Sequence, residues 1–150
     1  MNIATILAKK GGQCYTIRPE QTIRQALGLL AEKNIGALVA VDGTGRAVGI
    51  LSERDIVRKL ARNESVLGHA VETIMTKDVI FGLPQDDLAA ASQTMTEKRF
   101  RHLPILDGGR LIGVVSLGDI VKAQRDHYQG EVETLETQLI DEGQGKVTKR

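Results

Sequence analysis

Two serine–aspartate pairs are the residues of this chain best placed to do chemistry. Ser52-Glu53-Arg54-Asp55 and Ser116-Leu117-Gly118-Asp119 share one spacing, and each follows an apolar run that contains a glycine. Serine and aspartate three apart can close a helix N-terminus. The hydroxyl accepts a free N–H, and the carboxylate complements the positive end of the helix. The same geometry can hold a ligand. A helix N-terminus with a serine offers donors to an anion. A carboxylate one turn on can accept both hydroxyls of a ribose, as the acidic residue of dinucleotide-binding folds does. One motif does not separate cap from ligand site. Two copies favour a ligand, because caps require no matched pair.

A second cluster, Arg99-Phe100-Arg101-His102, places cations at the end of a predicted helix, where they complement its negative C-terminus without any ligand. The corresponding residues of the other copy, Asn34-Ile35-Gly36-Ala37, are small and uncharged. If each copy lines a site, the one near Arg101 and His102 suits phosphate, with Arg54 contributed by the other copy. The remaining site has room for a larger or less charged group close to the backbone. A histidine beside phosphate binds best protonated, and the ordinary imidazole value of about 6.5 puts that change near neutrality. His69 and His127 stand alone and read as surface residues, and Asp86-Asp87 reads as a helix cap. Catalysis finds little support. The chain has no Gly-x-x-x-x-Gly-Lys loop, no His-Glu-x-x-His helix and no Gly-x-Ser-x-Gly elbow. Cys14 has no evident base beside it, and no nucleophile has a visible activating partner.

The elements that must position these residues also occur twice. The stretch from Val48 to Val57 returns from Ile112 to Val121 at an offset of 64. Upstream, Glu32-Lys33 matches Glu97-Lys98 and Asp42-Gly43 matches Asp107-Gly108 at an offset of 65. Two pseudo-symmetric units with two similar sites in the cleft between them follow from that pattern. Each unit reads as β-α-β-β-α. In the first, Tyr15-Thr16-Ile17 is a short strand. Thr22 caps a helix carrying Ile23, Ala26, Leu27 and Leu30 on one face. Ala37 to Val41 and Ala47 to Leu51 form a hairpin about Asp42-Gly43-Thr44-Gly45, and Ser52 opens a second helix. In the second unit, Val79-Ile80-Phe81 is the short strand and Asp86 or Asp87 is the cap. Leu103 to Leu106 and Leu111 to Val115 form the hairpin, and a helix begins at Ser116. The expected division is a first unit over 1–62, a connection over 63–76 with Val71, Ile74 and Met75 on the core, and a second unit over 77–126. A C-terminal helix and polar tail occupy 127–150. Val121, Tyr128, Val132, Leu135 and Leu139 make a heptad-like seam, broken at Gly130. It fits a helix packed on its own domain or a self-association helix. Gly143 to Arg150 reads as a polar, frayed tail.

Bulk properties bound the rest. At 150 residues the chain makes one domain or a pair of small subdomains. With 41% apolar residues but 3% aromatic, the core must be built from Leu, Ile, Val and Ala. A net charge of +1 gives no electrostatic case for nucleic acid or an anionic membrane. A single cysteine excludes an intrachain disulfide and a cysteine-based zinc cluster, which fits a reducing cytoplasm. No apolar run approaches the roughly 20 residues of a membrane helix, and none reads as a signal peptide.

These pieces resemble a tandem pair of cystathionine-β-synthase (CBS) domains. The matching stretches are Val71-Glu72-Thr73-Ile74-Met75-Thr76, Arg101-His102-Leu103-Pro104-Ile105-Leu106-Asp107, and both Gly-x-x-Ser-x-x-Asp-Ile runs, covering about residues 1–125. The resemblance implies an α/β (α+β) CBS pair that binds AMP, ADP, ATP, NAD or S-adenosylmethionine, forms a homodimer and regulates a protein partner. It implies a first nucleotide site from Tyr15, Ile35, Gly36 and Ala37 with Ser116, Gly118 and Asp119. The second would use Thr76, Ile80, Phe100, Arg101 and His102 with Ser52, Arg54 and Asp55. Val39 departs from the pattern, the second repeat having Pro104, and Gly36-Ala37 lacks a charge, so the first site's ligand is the less defined. The expected protein is a cytoplasmic, non-catalytic sensor of energy or nicotinamide status. Its rivals are a constitutive scaffold with vestigial sites and a nucleotide hydrolase.

Overall fold

The computed structural model describes residues 1–11 and 14–144. The chain opens on a helix that the sequence reading missed, α1 (Ile3–Lys10), whose N-terminus is capped by the Asn2 side chain accepting the Thr5 N–H at 3.2 Å. β1 (Thr16–Ile17) leads to α2 (Ile23–Lys33). There Thr22 accepts the Gln25 N–H while the Gln25 side chain accepts the Thr22 N–H, a reciprocal cap that satisfies two orphan donors. β2 (Ala37–Val41) pairs antiparallel with β3 (Ala47–Ser52) and parallel with β1, giving the sheet order β1-β2-β3. α3 (Glu53–Leu60) follows directly. Two short 3-10 turns, Glu64–Gly68 and Val71–Thr73, carry Val66 and Val71 into the core, with Ile74 and Met75 against it, as expected. The second half has α4 (Leu88–Lys98), capped by Asp87, then β4 (His102–Asp107) antiparallel to β5 (Arg110–Ser116), then α5 (Leu117–Gln144). Among the described residues, no helix is long and apolar enough to cross a membrane.

Each half has its own apolar core. Ile17, Ile23, Leu38, Leu51, Ile56 and Val71 make the first. Leu88, Met95, Leu103, Ile105, Val115 and Ile120 make the second, and Ile3 and Ile6 of α1 join them. Residues 3–10 therefore pack with the second unit and not with 1–62 as expected. The reason is physical. Ile3, Ile6 and Leu7 form an i, i+3, i+4 stripe, and Gly113 on β5 lets Leu7 in. A Cβ at Gly113 would stand 2.8 Å from Leu7 Cδ2. The first half uses the same device, with Met75 Sδ 2.5 Å from where a Gly49 Cβ would lie.

One further expectation is corrected. Val79-Ile80-Phe81 is not a strand; only Gly82 bridges Ile105, in parallel. The Gly82 N–H donates to the Pro104 carbonyl at 2.9 Å. Pro104 faces that edge without an N–H, so the ladder cannot extend toward Ile80. α5 runs on past residue 126 and through Gly130 unbroken. One interior glycine costs about 1 kcal/mol, too little to end a helix of 28 residues. Of the expected frayed tail, Gly143 and Gln144 lie in α5, and residues 145–150 lie outside the described residues.

Candidate functional site

Both Ser-x-x-Asp motifs are reciprocal helix caps. The Asp55 N–H donates to Ser52 Oγ at 3.2 Å, and the Ser52 N–H donates to Asp55 Oδ2 at 3.1 Å. The second motif repeats this at 3.0 and 2.9 Å. Each helix start is also tied to the residue before the first hairpin strand of its own repeat. Glu53 N–H donates to the Gly36 carbonyl at 2.9 Å, and Leu117 N–H donates to the Arg101 carbonyl at 2.8 Å. One carboxylate oxygen serves each cap, so capping leaves the other free for a ligand.

The first carboxylate faces an open cavity of about 500 Å³, built from both halves. All eight residues of the expected second site line it: Ser52, Arg54 and Asp55 from one half, and Thr76, Ile80, Phe100, Arg101 and His102 from the other. The sequence reading did not reach Arg58, Lys98 and Arg99, which also line it. Arg58 follows Arg54 by four residues, one helical turn on the same face, and that spacing was visible. The wall thus carries five cations (Arg54, Arg58, Lys98, Arg99 and Arg101) against three carboxylates (Glu53, Asp55 and Asp78). Arg99 ends α4 in the left-handed conformation, φ 60°, where the first half has Asn34 at φ 52°. Asparagine tolerates that region better than arginine, so the guanidinium at the cavity is held at some backbone cost.

The residues of the expected first site are not gathered in the same way. Tyr15 and Ile35 pack against the first core, with Lys33 Nζ 5.1 Å from the Tyr15 ring centroid. Ala37 is buried opposite Ser52 on the β2–β3 ladder. Gly36 lines the cationic cavity instead, and a Cβ there would stand 3.1 Å from His102 Nε2. Ser116 and Asp119 form their cap. The Asp119 carboxylate is shared with Lys10 of α1, whose Nζ donates at 2.7 Å to Oδ2, the oxygen that also accepts the Ser116 N–H. Space beside Gly118 is open, its nearest neighbour being Ser116 Oγ at 3.7 Å from an added Cβ. Burial pushes the Asp119 carboxyl up, but the Lys10 bond and the Ser116 N–H outweigh it and hold the carboxyl below the ordinary value.

His102 stands between the two motifs. Burial holds its imidazole below the ordinary range, with the nearby Lys10 ammonium adding to the effect. Glu53 and Asp119 pull the other way, and Arg101 opposes them. The pH window read from an unperturbed imidazole therefore moves to lower pH in the free protein. The unfolded chain takes up the proton first, so His102 costs stability as pH falls through about 6.5 and on through the folded value. Urea unfolding between pH 7.5 and 5.5 should show stability falling with acid, and His102→Gln should flatten that slope. An unchanged slope would place the titration in other groups.

A family model described as CBS domain matches residues 11–62 and 71–126. The CBS domain-containing protein YhcV of Bacillus subtilis is 35% identical over 112 residues, which are 75% of this chain and 79% of YhcV. Two solved structures share the architecture. The CBS domain pair of MJ0100, in complex with 5′-methylthioadenosine and S-adenosyl-L-methionine, has a TM-score of 0.76 and 26% identity over 85% of this chain and 98% of that one. The CBS domain protein PAE2072 of Pyrobaculum aerophilum, complexed with AMP, has a TM-score of 0.71 and 26% identity over 79% of this chain and 89% of that one.

Proposed function

This chain belongs to the CBS-domain family, and from that premise we propose that it is a non-catalytic regulatory module whose cationic cavity binds a phosphorylated adenine nucleotide. One observation carries the reading: five cations and a helix-cap carboxylate line one cavity to which both halves contribute. Asp55 accepts the ribose hydroxyls. Thr76, Ile80 and Phe100 hold the base, and Arg101 with Arg54 and Arg58 meets the phosphates. Charge-assisted bonds to phosphate are the strong ones available here. The adenosine-based ligands of MJ0100 and PAE2072 support the class. The cationic wall favours AMP, ADP, ATP or NAD over S-adenosylmethionine, whose sulfonium it repels. The role is to report energy or nicotinamide status in the cytoplasm to a protein partner, which requires the ligand to bind one state better than another.

Melting with a nucleotide panel tests this, after endogenous ligand is stripped. A nucleotide at 100 times its dissociation constant should add about 2.7 kcal/mol, with AMP, ADP, ATP or NAD active. A flat response to all of them sinks the sensor reading. That result would favour a dimerisation scaffold, which one feature supports: Val57 and Val121 stand exposed at matching positions of α3 and α5, with Tyr128, Val132, Leu135 and Leu139 exposed beyond them. Such a face fits a homodimer in either reading. Turnover of ATP or NAD lost in Asp55→Ala would instead make the protein an enzyme.

A further inference from the structure

The two motifs are alike in their caps and unlike in what meets their carboxylates. Asp55 lines an open cavity, and Asp119 is engaged by an ammonium from the other end of the chain. Lys10 Nζ donates to Asp119 Oδ2 at 2.7 Å and to the Val114 carbonyl at 2.9 Å. Lys10 is the last residue of α1, and α1 is held firmly. Ile3 and Ile6 are buried in the second core. Ile3 N–H donates to the Asp86 carbonyl at 3.0 Å, and Ala4 N–H donates to the Pro84 carbonyl at 2.8 Å. The helix therefore keeps the ammonium at the carboxylate at high local concentration. The pair itself is not sealed: the two side chains are 43% and 29% exposed. An ion pair that open to water is weak enough for a ligand to displace.

We propose that Lys10 is a tethered occupant of the first cleft, competing with the ribose of an entering nucleoside for Asp119. The proposal rests on reading the Ser-x-x-Asp carboxylates as ribose acceptors. Its consequence is that the two clefts, similar in sequence, differ in accessibility. The Asp55 cleft is open, and the Asp119 cleft is filled by the protein's own cation until a ligand expels it. A ligand that binds only the vacated state has its apparent affinity reduced by the vacant fraction. Occupancy of the first cleft would release the C-terminal end of α1, so that end reports it.

Adenosine is the probe, because it lacks the phosphate that Lys10 could pair with after displacement. Backbone amide resonances of Asp119 and Asp55 report the two clefts separately in a titration of the full chain. In Lys10→Met the dissociation constant at Asp119 should tighten by about two- to fivefold, with the constant at Asp55 unchanged. Lys10→Arg and the neighbouring Lys9→Met should both match wild type. Raising salt from about 20 to about 500 mM screens the exposed pair, so it should tighten adenosine at Asp119 in wild type and have no effect in Lys10→Met. An equal or weaker constant at Asp119 in Lys10→Met overturns the proposal. So does an Asp119 amide that responds in neither protein while Asp55 responds, and that outcome leaves nucleotide binding at the open cleft standing. If neither amide responds to adenosine or AMP in any variant, the nucleotide reading falls and takes this one with it.

Discussion

Arg101→Ala weakens AMP binding by about ten- to a hundredfold and leaves adenosine binding nearly unchanged. A hydrogen bond to a charged group is worth roughly 1.5–3 kcal/mol, and each 1.4 kcal/mol is tenfold in affinity. Arg101 sits on the cavity wall, where its carbonyl accepts the Leu117 N–H. Asp55→Ala should lose both ligands at this cavity, because both carry the ribose. Calorimetry of the two variants with the two ligands separates phosphate from ribose recognition. If Arg101→Ala binds AMP as tightly as wild type while Asp55→Ala does not, phosphate contact belongs to Arg54, Arg58, Lys98 or Arg99. His102 adds a pH term. A phosphate bound beside it would raise an imidazole that burial holds low, so binding would take up a proton. The phosphate's own ionisation near pH 6 works against that trend, and His102→Gln removes only the histidine part.

How far the sequence carries depends on whether the determining interaction is local. The repeat is local in pattern, so β2–β3 and β4–β5, the two Ser-x-x-Asp caps and the helices α2 and α4 could be read from spacing and caps. The second site could be assembled because the resemblance paired residues of one half with the motif of the other. Arg58 was missed although its spacing from Arg54 was plain. Arg99 was read only as a complement to the end of α4, and Lys98 only as the repeat match of Lys33. What spacing alone could not supply is the contact of α1 with the second core. Nothing in Ile3, Ile6 or Leu7 says which half they cover; the glycine that admits Leu7 lies more than 100 residues away. Lys10 at Asp119 is hidden for the same reason. The strand expected at Val79-Ile80-Phe81 failed on one missing donor, Pro104, which the reading had noted but weighed only for the ligand.

The N-terminal helix also governs the largest expected loss of stability. Ile3 is fully buried among Leu88, Met95, Ile105, Val115 and Ile120. Truncating it to alanine removes apolar contacts and leaves a cavity that the surrounding strands and helices fill only in part. Such substitutions cost about 2–5 kcal/mol, a large share of the roughly 5–15 kcal/mol that holds a domain folded. Urea unfolding of Ile3→Ala should therefore show a much lower midpoint with an unchanged slope, since the surface exposed on unfolding is nearly the same. Asn2→Ala removes only the cap of that helix and should cost about 1 kcal/mol, which grades the two effects on one element. A loss below about 1 kcal/mol for Ile3→Ala would mean that α1 does not rest on the second core in solution. Lys10 would then have no anchor, and the contrast between an open cleft at Asp55 and a filled one at Asp119 would disappear with it. A loss in the expected range keeps the ammonium at the carboxylate by the same burial that holds the helix, so stability of the second core and accessibility of the first cleft are set by one contact.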